Sequence, residues 1–423
     1  MEVLHTRVAG LDLHKATVVA CVRRIEGGRT MRECRTFETT TAGLLALLDW
    51  LTEAGCTHVA MEATGVYWRP VWNLLDGGDF TLLLANAAHV KNVPGRKTDL
   101  NDAMWIADLA ACGLVKASYV PDRPQHELRS LLRTRKQFQR ERTSHVQRMQ
   151  KTLEEANIKL DSVICEIVGV NGRRILEAMI AGERDPARLA ALTDRRLKAS
   201  RTALQEALHG RLTDHHRFLL RLHLGQYDAL GEAIRQIDDE VAAAVERIDA
   251  EAPPAQASFP ALIALLCTIP GVSRLAALTI LAEVGWDMSR FPTDGHLLAW
   301  AGLCPGHDES AGKRRSSRLR KGAPWLKTLM VQCAWAAQRK KGSYYQAQFQ
   351  HLRRQRGPQK AICAVAASLL RAVYHMLKNG IPHQDLGGDH FQRRPPEVRA
   401  KRLVTQLNRL GYDVNLKAMP NAA

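Results

Sequence analysis

The sequence predicts an α/β domain with a mixed sheet, followed by a mainly helical remainder. Three observations lead there. Up to about residue 120, strand signals of period two alternate with helix signals, the mark of an α/β layer. From His126 onward apolar residues recur at helical spacing. A Pro- and Ala-rich stretch, EAPPAQASFP (Glu251 to Pro260), then separates two helical regions as a linker would.

The elements follow in order. RVAGLDL and TVVACV read as strands around a turn at His14-Lys15-Ala16. TFETTTAGLLALLDWLTEAG reads as a third strand and a helix ending at Gly55. THVAME is a strand, VYWRPVWNLLDGG a helix and FTLLLANA a strand, and a helix opens near Asp99. From His126 to about Ile158 the chain is helical and basic. Leu128, Leu131, Phe138, Met149 and Leu153 lie near one seam, but Arg135, Arg142 and His145 interrupt it. That leaves two readings, an exposed bundle helix, or a coiled-coil-like helix that holds a partner and also touches nucleic acid through residues such as Arg135 and Arg142. A second helical region spans about Thr193 to Ala252, with breaks expected at Gly210 and Gly225. LCTIPGVSRLAALTILAEVG has the form of a helix-hairpin-helix, in which Gly271 would let the backbone approach a phosphate. A short amphipathic helix with Leu403, Leu407 and Leu410 is expected in the tail. The divisions expected are 1–123, 124–252, 253–385 and 386–423.

The formal charge of +17 calls for a polyanionic partner. It is not evenly spread. Ala311 to Gln384 holds sixteen Lys or Arg and no Asp or Glu, and without them 44 basic residues would face 43 acidic ones. A solvated surface normally mixes signs, so this block is expected to meet phosphates. Nine cysteines without a C-x-x-C pair argue against a disulfide framework or zinc ribbon, and fit a reducing cytoplasm. The N-terminus lacks a signal pattern, and the longest apolar stretch, Pro260 to Gly285, is too broken to span a membrane.

Asp12 sits inside an apolar strand, where a lone charge is costly. Glu62 ends another apolar strand, and Asp99 and Asp102 follow at the i, i+3 spacing that shares a helix face. Each has an ordinary role open to it: a strand-end acid, a surface acid, a helix cap, a first-turn acid. Together, in one α/β domain, they can converge at a sheet edge. Clustered carboxylates repel unless divalent cations lie between them, and hard oxygen ligands suit Mg²⁺. Such ions can activate a nucleophile at a phosphodiester and stabilise the leaving oxygen.

GLDLHK, MEATGVYW, KTDLNDA and, far downstream, FPTDGHLLAWAGLCPGHDESAGKRRSSRLRKGAPWLK resemble the DEDD transposases of the insertion sequence 110 type, the bridge-RNA-guided recombinases. The resemblance runs from Gly10 to about Leu377 in the family's domain order. It implies an RNase H-like (RuvC-like) N-terminal domain whose metal-binding carboxylates map onto Asp12, Glu62, Asp99 and Asp102. It implies a coiled-coil region leading to a C-terminal serine transposase domain, whose nucleophile maps onto Ser310. In the family that serine forms a covalent phosphoserine link to DNA, assisted by the carboxylates of a neighbouring subunit. A noncoding RNA pairs with donor and target DNA. A homo-oligomer, dimer or tetramer, is implied with it.

From the residues alone, Ser310 reads as a loop serine between helical segments, with Ser316 and Ser317 as competitors. Lys313, Arg314, Arg315, Arg318, Arg320 and Lys321 could steady a phosphate there. Three function classes compete: an RNA-guided recombinase with a serine nucleophile, a RuvC-like Mg²⁺-dependent nuclease that uses water on branched DNA, and a nucleic-acid binder with a decayed site. The presence of all four carboxylates disfavours the last, and the full Ser310 motif disfavours the second.

Overall fold

The computed structural model describes residues 3–63, 65–86, 102–194, 197–251, 253, 257–306, 308–310, 312–316, 318–392 and 396–414. It divides into two compact units, Met1–Pro121 and Asp122–Ala423.

The first unit is built on β1 (Arg7–Leu13), β2 (Thr17–Glu26), β3 (Arg29–Glu38), β4 (His58–Glu62) and β5 (Thr81–Ala85), in the order β3-β2-β1-β4-β5. The first three strands form an antiparallel meander, and β4 and β5 run parallel to β1. The mixed sheet expected from the sequence is therefore present, with longer strands. Alternation along β1 divides the core in two. Ala9, Leu11 and Leu13 pack with Leu44, Leu47 and Leu51 of α1 (Thr41–Glu53) and Val71 of α2 (Trp68–Leu75). Val8 packs instead with Ala60 of β4 and Ile106 and Ala110 of α3 (Asp102–Ala111). On that second face Asp108 of α3 ties the helix to two strands, with Arg23 Nε of β2 and Arg32 Nη2 of β3 each 2.9 Å from its Oδ1. Asp99 lies outside the described residues.

The second unit opens with α4 (Arg123–Glu155), capped by Asp122, whose carboxylate accepts from the Gln125 amide at 3.1 Å. Short helices follow: α5 (Leu160–Val163), α6 (Val170–Ala181), α7 (Pro186–Ala191) and α8 (Arg201–Ala207). After the break at Gly210 comes α9 (Asp214–Ala250). Gly225, expected to be a break, lies inside α9: one glycine weakens a helix by about 1 kcal/mol, which the packing of 37 residues outweighs. α4 and α9 pair antiparallel. The polar residues that interrupt the α4 seam each meet a partner on α9: Arg135 with Asp238 (2.5 Å), Arg142 over the Tyr227 ring (3.9 Å), His145 with His223 (3.2 Å). Met149 and Leu153 enter a core with Leu160, Ile175, Leu220 and Leu224.

Next come α10 (Phe259–Cys267), α11 (Arg274–Val284), α12 (Asp294–Ala301), the hairpin β6 (Asp308–Ser310) and β7 (Lys313–Ser316), then α13 (Pro324–Ala337), α14 (Tyr344–Arg356), α15 (Pro358–Asn379) and α16 (Pro396–Arg409). α15 alone among the described helices has the length and hydropathy to cross a membrane, and its Val365, Leu369 and Val373 are buried in this helical body. α16 carries two of the expected leucines, Leu403 and Leu407, with Leu410 in the turn just after it, and all three are exposed. The pair α10–α11 has a tight turn at Ile269–Val272, with Gly271 at φ +83°. A Cβ on Gly271 would stand 2.6 Å from the Cys333 carbonyl oxygen and the Ala337 amide nitrogen. The close approach that demands glycine is therefore to α13.

Candidate active site

Asp12 belongs to the face of β1 that α3 covers, because it follows Val8 and Gly10 at period two. Glu62 belongs to the same face of β4, two residues beyond Ala60. The parallel register pairs Gly10 with Ala60 and Leu11 with Met61, so Asp12 and Glu62 occupy the next step, at the carboxyl ends of adjacent strands. Asp102 is the first residue of α3. A Cβ on Gly10 would stand 2.1 Å from the Ala103 carbonyl oxygen and 2.4 Å from the Ala107 amide nitrogen, so α3 rests backbone on backbone against β1. That contact lies one residue from Asp102 and two from Asp12. Three of the four predicted carboxylates thus share one face and one end of the sheet.

The Asp12 carboxylate is 27 % exposed, and His14 Nε2 stands 3.2 Å from its Oδ2. Sequence reasoning passed over His14, reading it only as turn; the i, i+2 spacing across a strand end was its one signal. All three carboxylates offer hard oxygen donors, the chemistry that suits Mg²⁺ or a similar cation. Among the described residues no three such side chains stand together as an assembled metal-binding group, Asp99 lying outside them.

Ser310 lies in a β-hairpin arm between α12 and α13, where a loop was expected. β6 and β7 pair antiparallel, Ser310 opposite Lys313, with a register shift at Asp308/Glu309. Gly312 at φ +72° makes the turn, a left-handed position that favours glycine. Ser310 is therefore the last paired residue before the tip. Below it the strands close further: Gly306 N donates to Arg318 O at 3.0 Å, and Arg320 N to Cys304 O at 3.1 Å. At the base Gly322 meets Gly302, and a Cβ there would stand 2.3 Å from the Gly302 nitrogen. Lys313, Arg318, Arg320 and Lys321 are exposed along this arm, and Ser316 Oγ accepts from the Arg318 amide at 3.2 Å. The side chains of Ser310, Arg314 and Arg315 and the whole of Ser317 lie outside the described set. Period-two alternation is absent from DESAGKRRS, so the hairpin left little trace except Gly312.

The remaining predicted contacts look elsewhere. Arg135 and Arg142 spend their guanidinium groups on Asp238 and Tyr227 of α9. Glu283, passed over in the sequence, is only 1 % exposed at the end of α11, where Arg133 grips both its oxygens at 2.7 and 2.8 Å. Arg129 donates to the Ala282 and Glu283 carbonyls at 2.9 and 2.7 Å, capping the helix end.

Comparison with known proteins meets these two regions. A DEDD transposase model of the IS110 type matches residues 9–158, and a model described as the transposase IS116/IS110/IS902 family matches residues 263–350, together more than half of the chain. Over 80 residues the chain is 36 % identical to the transposase-designated protein y4qE of Sinorhizobium fredii (strain NBRC 101917 / NGR234), a match covering 18 % of this chain and 20 % of the relative. The chain spans about one fifth of that relative's length. With one family's two domains matched in order, on the sheet that carries the carboxylates and on the helical region that carries the serine arm, the chain belongs to the IS110-type transposases.

Proposed function

We propose that the protein is a DNA transposase that cuts and rejoins strands with two sets of residues: the carboxylates Asp12, Glu62, Asp99 and Asp102, and the serine Ser310. The observation that carries this reading is that Asp12, Glu62 and Asp102 share one face and one end of a sheet ordered β3-β2-β1-β4-β5 in a chain of this family. The meander-then-parallel order also supports the RNase H-like reading. A divalent cation held there, Mg²⁺ in our reading, would supply positive charge to a phosphodiester and its leaving oxygen. Asp12, Glu62, Asp99 and Asp102 are the residues that would hold it, and His14 orients the Asp12 carboxylate.

Ser310 supports strand transfer because rejoining must conserve the energy of the broken bond, and the chain has no P-loop to supply energy. Its Oγ forms a bond to phosphorus, the bond from phosphorus to the sugar oxygen breaks, and that oxygen leaves with a proton. Attack by another strand's hydroxyl reverses the step and frees the serine. Lys313 faces Ser310 across the arm, and Arg318, Arg320 and Lys321 follow, so the phosphate's charge is met by cations. The remaining parts of the reading rest on the family resemblance, namely a noncoding guide RNA, donor and target DNA as substrates and a homo-oligomer, while a cytoplasmic setting rests on the cysteine usage and the N-terminal pattern.

The test is Asp102→Asn in the full chain, expressed with the non-coding DNA that flanks its reading frame. Strand cleavage should be lost while DNA binding stays within about fivefold, since charge near one helix end is worth about 1 kcal/mol at most. Full cleavage by the variant in Mg²⁺ would refute the carboxylate role.

A further inference from the structure

We propose that the cavity between α4, α11 and α13 binds one unpaired nucleotide of a single-stranded DNA or RNA, its base on Trp325 and its phosphate on Lys136 and Arg140. The proposal rests on the nucleic-acid reading above but concerns a different surface from the carboxylates and the serine arm. The cavity holds about 390 Å³, the size class of small-molecule sites. Much of its lining is apolar: Leu132 from α4, Leu275 and Ala276 from α11, Leu329 and the Trp325 indole from α13. Leu275 is 42 % exposed, an apolar side chain left open at the mouth.

The rim is cationic. The guanidinium groups of Arg133 and Arg140 lie over the Trp325 ring, 5.6 and 5.1 Å from its centre; Arg133 is tied to Glu283, so a base on the indole takes the place of the exposed Arg140, which turns to the phosphate. Glu283 is the one acid of the lining, and Arg133 already takes both its oxygens. Asp238 of α9 likewise neutralises Arg135. Lys136 and Arg140 therefore carry the surplus charge of the cavity. A phosphate alone would have no use for an indole and a leucine lining, and an apolar ligand would have no use for the two cations. A nucleotide uses both, because every base has a face that stacks on an aromatic ring and every phosphate a charge. Gln139 and Gln332 on the walls can donate to or accept from any base edge. In a duplex the base is stacked and its edge paired, so only an unpaired nucleotide fits. The wall is also joined to the serine arm: Trp325 follows Lys321 closely, and Lys327 Nζ donates to the Arg320 carbonyl at 3.1 Å.

The experiment uses the full chain and short single strands carrying 2-aminopurine, one of DNA and one of RNA, with the matching duplex as a third arm. Stacking on Trp325 should quench the fluorescence of a single strand further, whereas the duplex, already dimmed by its own base stacking, should not change on adding protein. The arm that quenches identifies the source of the nucleotide. Trp325→Ala should abolish the quench and weaken single-strand binding by about tenfold. Trp325→Phe should keep most of both. Arg140→Gln, at an exposed position that cannot unfold the helix, should weaken binding several-fold. Arg318→Gln should weaken binding without removing the quench. Equal quench in wild type and Trp325→Ala, unchanged affinity in Arg140→Gln, or binding without any quench overturns the site and leaves the transposase reading standing. No binding of any strand overturns the nucleic-acid reading, and the site with it.

Discussion

Gly10 of β1 and Ala103 of α3 touch backbone to backbone, with no room for a Cβ between them: a methyl on Gly10 would stand 2.1 Å from the Ala103 carbonyl oxygen. This contact sets the height of α3 above the sheet and so sets Asp102 beside the strand end that carries Asp12. Gly10→Ala must push the helix away. The expected cost is about 1–3 kcal/mol of stability, as for other overpacked cores. Strand cleavage should fall at least as far as stability does. Thermal unfolding and a cleavage assay check it. Gly77→Ala, where nothing lies within 4 Å, is the control that should leave both unchanged.

Glu283 offers a second test. It is buried, and Arg133 holds both its oxygens. Removing one partner of a buried pair leaves an uncompensated charge, which costs about 3–5 kcal/mol. Glu283→Ala should therefore lower the denaturant midpoint strongly. Glu154→Ala, at an exposed position on α4, should leave it nearly unchanged.

Much of the first unit was legible because its strands are apolar and its turns carry glycine or polar residues. The face that Asp12 and Glu62 share follows from alternation alone once β1 and β4 are recognised as parallel neighbours. The role of Gly10 was not legible: a glycine in a strand signals a close approach without saying to what. The α4 seam was read as interrupted because Arg135, Arg142 and His145 look wrong for a coiled coil by themselves. Their partners Asp238, Tyr227 and His223 lie some 80 to 100 residues further on, and a local pattern cannot match them. The arm around Ser310 escaped because its two strands are short and polar, and backbone pairing, not side-chain period, defines them.

The His145–His223 pair makes stability depend on pH. Burial lowers both pKa values below 6.5; Arg148 adds to this at His145, opposed by Glu141, and His145 and Arg148 add to it at His223. For a histidine whose folded value is depressed, the unfolded chain takes up the proton first. Stability from this pair is whole above about pH 6.5 and is lost as the pH falls through the folded values. The melting temperature should thus drop between about pH 7.5 and about pH 5.5, and drop less in a His145→Gln/His223→Gln variant. An equal drop in both proteins would place the dependence elsewhere, His58 and His383 being further histidines with lowered values.

The exposed cations of the arm should report phosphate contact through salt. Arg318→Gln and Arg320→Gln should each weaken DNA binding and reduce the slope of log affinity against log salt by about one unit. Arg123→Gln, a cation paired with Glu127 on the exposed start of α4, should leave the slope as it is. An unchanged slope in the arm variants would take those residues off the DNA.

The central claim is that strands are exchanged through Ser310. The most direct measurement runs end-labelled element DNA, incubated with the protein, its flanking noncoding RNA and Mg²⁺, on a denaturing gel, with mass spectrometry of any protein-bound label. A covalent adduct is expected at Ser310, absent from Ser310→Ala and from Asp102→Asn although both still bind DNA. Cut or rejoined strands without an adduct, or an adduct on Ser316, Ser317 or a tyrosine, would contradict it.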